Sequence, residues 1–181
     1  MNINVMIFYF INNQLSNPYF DIIMPHISNI GGLPFYAVVL LIAFIITRKG
    51  YFNTSKYYGL AKLACASLIL TVIIAGTLKL MFNQPRPYLV LEHVRLLTTS
   101  VDPNSFPSGH TATTASTMTI LFLNAKKYFT RANLIKCLAV IYVFLIGFTR
   151  IYIGMHYPFD VLIGGIVGMA CGVVVTRFLK V

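Results

Sequence analysis

Five long apolar runs joined by short basic stretches leave this chain few folds to choose from. The runs lie near Leu33–Thr47, Tyr57–Met81, Ser108–Ala125, Leu134–Arg150 and Pro158–Leu179. Each approaches the about 20 residues that a helix needs to cross a bilayer. The shorter ones can be accommodated by tilt. Backbone in lipid has to satisfy its own hydrogen bonds, so such runs become helices. Only 10% of the residues are charged, against roughly 25% in soluble domains. A surface this poor in charge has to face lipid. The expected fold is therefore all-α: an integral membrane helical bundle of about five transmembrane helices, with a sixth possible.

The segment before Gly31 differs from the runs. It mixes apolar residues with Asn12, Asn13, Gln14, Asn17, Asp21 and His26, and Pro18 and Pro25 interrupt it. Amphipathic helices lying in the membrane interface are expected here. The first residues, MNINVMIFYFINN, lack the basic start and small-residue cleavage site of a signal peptide. The chain reads as a single domain over 1–181, with 1–31 interfacial. Gly164, Gly168 and Gly172 recur every four residues and offer a face for close helix packing, expected within the bundle. The threonines between Thr111 and Thr119 are expected to serve packing as well. Cys65, Cys137 and Cys171 sit in separate apolar stretches, an odd number with no CxxC, and read as small buried hydrophobes.

The net charge of +10 invites a nucleic-acid reading, but that would need the cations on one stripe. Instead they alternate with the apolar runs. Arg48, Lys49, Lys56, Lys126, Lys127, Arg131, Lys136, Arg177 and Lys180 all fall on one side, which the positive-inside rule makes cytoplasmic. Lys79, Arg86, Arg95 and Arg150 fall on the opposite side, against that trend, and call for a reason. The chain is thus expected in the inner (plasma) membrane, multi-pass. Its polar outer groups would face the periplasm or cell exterior.

Those outer groups form three clusters. Lys79 precedes Arg86-Pro87, with Pro85 and Pro87 expected to break the helix between them. Pro107-Ser108-Gly109-His110 opens the third run. There Ser108 is a good N-cap, and the amides of Ser108, Gly109 and His110 are expected to face an anion. Thr149-Arg150 precedes His156, and Asp160 follows one turn later. From there Asp160 can accept a hydrogen bond from one imidazole nitrogen and leave the other nucleophilic. An Asp within a span needs a partner and is a functional candidate. The cations and amides suit a phosphoryl group, and the two histidines suit nucleophile and acid roles. Paired acid and nucleophile histidines also imply a bell-shaped pH profile. His93 and Arg95, on the outer loop, are candidates for headgroup contact.

These residues carry a resemblance. KLMFNQPRP, PSGH and TRIYIGMHYPFD resemble the three ordered motifs of the type 2 phosphatidic acid phosphatase (PAP2) family, with Thr149 where the usual pattern has serine. They span residues 79–160. The resemblance implies a membrane phosphatase with a phosphohistidine intermediate. It casts His156 as nucleophile, Asp160 as its orienting partner and His110 as the acid that protonates the leaving oxygen. Lys79, Arg86, Ser108, Gly109 and Arg150 would hold the phosphate. No cofactor or metal is implied. The chain's four carboxylates are also few for a two-metal site. The expected partners are a lipid phosphate substrate and membrane lipids, with no nucleic acid. Undecaprenyl diphosphate is the preferred substrate. Phosphatidylglycerol phosphate, phosphatidic acid and lipid A 1-phosphate are the alternatives. An anion or lipid transporter is a more distant reading, and an intramembrane serine protease lacks a GxSxG elbow.

Overall fold

The computed structural model describes residues 2–51, 54–99 and 102–179. Lys180, counted above among the cytoplasmic cations, lies outside the described residues. The described chain is helical, and the expected all-α fold is what it adopts. The helices are α1 (Ile3–Tyr9), α2 (Pro18–Asn29), α3 (Leu33–Lys49), α4 (Tyr58–Phe82), α5 (Pro87–Val90), α6 (Gly109–Tyr128), α7 (Ala132–Tyr152) and α8 (Pro158–Phe178). A π-helical turn, Phe10–Gln14, follows α1, and a 3-10 turn, Ser55–Tyr57, leads into α4. Among the described residues there is no strand, only an isolated bridge between Pro85 and Asn104.

The helix ends follow local chemistry. Asn17 caps α2 by accepting from the Tyr19 amide, and Pro18 occupies the first turn, where its missing N–H does no harm. Helix α4 stops at Asn83, which takes a left-handed conformation just ahead of Pro85. Pro158 opens α8 in the same manner as Pro18 opens α2.

Among the described residues, three helical stretches are long and apolar enough to cross a membrane: Ser55–Phe82, Ala132–Tyr152 and Pro158–Phe178. Helices α2 and α3 meet that standard only together, and they are bent by 49°. Helix α6 does not meet it, and packing gives the reason. It packs against α4, α7 and α8, and its residues from Thr111 to Thr117 are all buried, so that stretch meets protein rather than lipid. Thr111, Thr113, Thr114, Ser116 and Thr117 are buried on it, and the Ser116 hydroxyl lies 2.5 Å from that of Ser67 on α4. Large apolar side chains such as Ile69, Ile73, Phe144, Leu162 and Ile166 point outward from the surrounding helices, as a lipid-facing surface requires.

The small-residue face of α8 is turned inward onto α6, as expected. A methyl group on Gly164 would lie 2.5 Å from the Ser108 carbonyl oxygen. One on Gly168 would lie 2.2 Å from the Ala112 carbonyl oxygen, and one on Gly172 would lie 2.7 Å from Thr119 Cβ. The two backbones are as close as glycine permits, which fixes the start of α6 against the start of α8.

The N-terminal helices pack on the ends of α7 and α8. Asn12, fully buried, joins three segments. Its Nδ2 donates to the carbonyl oxygens of Arg95 (2.9 Å) and Tyr152 (2.8 Å), and its Oδ1 accepts from the Arg95 amide at 2.9 Å. The Arg95 guanidinium pairs with Asp21, which also accepts from the Tyr152 hydroxyl at 2.7 Å. Arg95, a headgroup candidate in the sequence, is thus engaged in holding the loop after α5 to the N-terminal segment.

Candidate active site

The turn between α7 and α8 places His156. Gly154 adopts φ +82°, and a Cβ there would lie 2.6 Å from the Arg95 carbonyl oxygen, so the turn needs glycine on both counts. The amides of Met155 and His156 then fold back onto the Arg150 carbonyl oxygen, at 3.1 and 3.2 Å. Arg150 and His156 are thereby held at one point, although they lie on either side of the turn.

Across from them, the segment after α4 pairs with the segment before α6. The Arg86 amide donates to the Pro103 carbonyl (3.2 Å), and the Ser105 amide donates to the Gln84 carbonyl (2.7 Å). This short ladder sets Arg86 beside His156, with Nη1 3.2 Å from Nε2. A guanidinium only donates, so Nε2 accepts and carries a lone pair.

A cavity of about 410 Å3 collects these groups. Lys79, Arg86, Gly109, His110, Arg150 and His156 all line it, and Leu33, Pro34, Val72, Ala75 and Gly76 form an apolar wall between α3 and α4. Arg150 is 4% exposed, with Nη1 donating to Ser28 Oγ at 2.6 Å. Its Nε is buried with no hydrogen-bond partner among the described residues. Lys79 Nζ donates to Asp102 Oδ2 at 2.7 Å and to the Asn104 carbonyl at 2.6 Å. Arg86 Nε donates to the Asp102 carbonyl, and its Nη2 lies 3.5 Å from the Asp102 carboxylate. Burial works against a charge on Asp102. The Lys79 hydrogen bond, the Asn104 amide and the charges of Lys79 and Arg86 outweigh it and hold the carboxyl below its ordinary range. His156 moves the same way for other reasons. Burial, then the positive charges of Arg150, Arg86 and Lys79, hold its imidazole well below the usual 6.5.

Two of the expected positions differ in detail. Ser108 stands behind the cavity: its hydroxyl lies 2.9 Å from that of Thr111, and its amide donates to the Asp160 carbonyl at 3.0 Å. The Ser108 amide expected to face an anion therefore has an internal partner, because the close approach of α8 to α6 puts Asp160 over it. Asp160 is fully buried, and its Oδ2 lies 3.7 Å from His156 Nδ1, beyond direct hydrogen-bond reach. It accepts instead from the Tyr157 amide at 2.9 Å and from the Ser105 hydroxyl.

The PAP2 superfamily profile matches residues 60–181. The chain belongs to the PAP2 superfamily. It is accordingly a lipid phosphatase, a hydrolase of phosphate esters, within a helical bundle suited to a membrane. It is 32% identical over 144 residues to "Undecaprenyl-diphosphatase BcrC" of Bacillus subtilis, covering 79% of this chain and 67% of that protein. The crystal structure of Aquifex aeolicus LpxE superposes with a TM-score of 0.80 at 32% identity, covering 98% of this chain and 97% of that one. The crystal structure of a PAP2-type phosphatidylglycerolphosphate phosphatase from Bacillus subtilis gives the same TM-score at 21% identity, over 98% of this chain and 86% of that one, a likeness of fold.

Three residues in contact with the candidate site's side chains were not singled out in the sequence: Ser28, Asp102 and Ser105. Ser28 holds Arg150 from α2, 122 positions away. Asp102 and Ser105 lie in the loop VDPNSFPSG, which reads as a run of turn residues. The one signal was the scarcity of carboxylates, which makes a loop aspartate opposite Lys79 and Arg86 worth pairing with them.

Proposed function

We propose that this PAP2 phosphatase hydrolyses undecaprenyl diphosphate to undecaprenyl phosphate through a phosphohistidine on His156, at the outer face of the plasma membrane. The observation that carries the reading is the cavity itself. Two histidines and three cations line it together with apolar side chains of α3 and α4. A lipid could lie along that wall with its phosphate among the cations. In this reading His156 Nε2 forms a bond to phosphorus as the bond to the leaving oxygen breaks, and His110 gives that oxygen a proton. Water then attacks phosphorus, passing its proton to His110, and the P–N bond breaks. Lys79, Arg86 and Arg150 hold the equatorial oxygens, with the Gly109 amide adding a donor at the first turn of α6. Ser108 fixes that turn, its hydroxyl paired with that of Thr111. The diphosphate is favoured by the similarity to the Bacillus subtilis undecaprenyl-diphosphatase. The outward site is supported by the positive-inside rule, which puts the loops that carry most of the other cations on the cytoplasmic side.

The test is phosphate release in detergent from four lipids: undecaprenyl diphosphate, phosphatidylglycerol phosphate, phosphatidic acid and lipid A 1-phosphate. Preference for the diphosphate is expected. Preference for a monophosphate ester keeps the chemistry and replaces the substrate. Three protein cations supply the charge that a metal would otherwise bring. Activity is therefore expected to survive EDTA treatment unchanged, and complete loss on chelation, restored by a divalent ion, would overturn the metal-free reaction.

A further inference from the structure

We infer that Ser105 is a positioning residue for His156, linking the imidazole to the Asp160 carboxylate and fixing which ring nitrogen faces the substrate. The inference rests on His156 being the nucleophile, as proposed above. Asp160 does not reach the imidazole by itself, since Oδ2 and Nδ1 are 3.7 Å apart. The Ser105 hydroxyl lies to one side of that gap, nearer to each group than they are to one another. Its Oγ lies 3.4 Å from Nδ1 and donates to Asp160 Oδ2. All three side chains are 0–2% exposed, so no solvent competes for these bonds.

The proton count follows from the chemistry of the groups. Serine has one hydroxyl proton, and an ionised carboxylate can only accept it. Ser105 Oγ then has only lone pairs to offer the imidazole, so Nδ1 carries the hydrogen. On the other side of the ring Arg86 Nη1, which only donates, faces Nε2. Two neighbours on different segments thus select the same tautomer, with Nε2 the unprotonated nitrogen, available to phosphorus once Arg86 turns from it to the phosphate. When Nε2 bonds to phosphorus the ring becomes positively charged with its proton still on Nδ1. The Ser105–Asp160 link then passes the carboxylate's charge to it.

The backbone of Ser105 is placed for this. Its amide is bonded to the Gln84 carbonyl, next to the contact that holds Arg86, and Gln84 Nε2 lies 3.5 Å from Asp160 Oδ1. The segment that carries Arg86 therefore also aims Ser105.

The experiment compares the native protein with Ser105→Ala and Ser105→Cys in detergent, with His156→Ala alongside. Ser105→Ala is expected to lower kcat on the order of 10²-fold, the scale of a misplaced reacting group, with KM within about twofold. Ser105→Cys keeps the shape and replaces a strong hydrogen-bonding group with a weak one, so it is expected to fall nearly as far. It also stands in if the alanine variant does not fold. The second readout is the tautomer. The chain has four histidines, so 15N-histidine spectra are simple enough to assign His156 by its loss in His156→Ala. The native protein is expected to show Nδ1 protonated, and the Ser105 variants a mixture. Native kcat in Ser105→Cys, a rise in KM alone, or an unchanged tautomer in a slowed variant would each overturn the role. Phosphate release by His156→Ala would instead overturn the parent reading, and is seen independently of Ser105.

Discussion

Replacing His156 with alanine is expected to lower phosphate release from the preferred lipid by about 10⁴-fold or more, because the group that would form the covalent intermediate is gone. Acid-labile label from a phosphate-labelled lipid should appear on the native protein and be absent from the variant. Equal release by both proteins would remove His156 from the mechanism. The native pH dependence follows from the environment of the same ring. Burial, followed by the charges of Arg150, Arg86 and Lys79, keeps the imidazole neutral at pH values where a free histidine is charged. Neutral imidazole is the attacking form. A depressed value therefore means that competence is retained as pH falls through 6.5 and is lost only at more acidic pH. The acid limb of kcat/KM, which reports the free enzyme, is expected below pH 6.5. A limb at or above that value would show that the cations do not act on His156 as their positions indicate.

Gly168→Leu is expected to prevent accumulation of folded protein. The first added carbon alone would sit 2.2 Å from the Ala112 carbonyl oxygen, 2.9 Å from Ala115 Cβ and 2.9 Å from the Ser116 amide nitrogen. Two of those contacts are backbone atoms of α6, which cannot turn aside as a side chain can. Overpacking of a well-filled interior typically costs about 1–3 kcal/mol, and more where backbone has to move. Gly168→Ala is the milder test and should lower the thermal midpoint measurably. Gly165 is the control on the same helix, since its added methyl would meet only Thr111 Cγ2 at 3.9 Å, an ordinary contact. Equal folded yields of Gly168→Leu and Gly165→Ala would mean that α6 and α8 are not as close in the membrane as described.

The helices were legible because their causes are local. Hydropathy, Pro158 and the Pro85–Pro87 break set the bounds of α4 and α8 within a few residues of those expected, whereas Pro25, read as an interruption, lies inside α2. The glycines at 164, 168 and 172 announced a close helix contact, although not which helix would fill it. Helix α6 was legible for the same local reason, a long run opened by Ser108. Its threonines, which lower its hydropathy, are explained only by the neighbours that surround it. In the site, three spaced motifs gathered Lys79, Arg86, His110, Arg150 and His156, and the cavity contains them all. The rest depended on contacts distant in sequence. Asn12 meets Arg95 and Tyr152, Ser28 meets Arg150, and Ser105 stands between His156 and Asp160. Nothing within a few residues of an asparagine or serine says that its partner lies across the bundle. The expected direct bond from Asp160 to His156 failed by the width of one hydroxyl, a distance that helical spacing does not resolve.

The pairing of Asp102 with Lys79 and Arg86 changes what binding a phosphate means, given the proposed roles of those cations. The pocket already holds an anion of its own, the Asp102 carboxylate. An arriving phosphate therefore takes part in an ion exchange: one oxyanion leaves the two cations as another reaches them. The affinity of a headgroup is then a difference between two ion pairs, smaller than either, and the same carboxylate is ready to return and help expel inorganic phosphate when turnover ends.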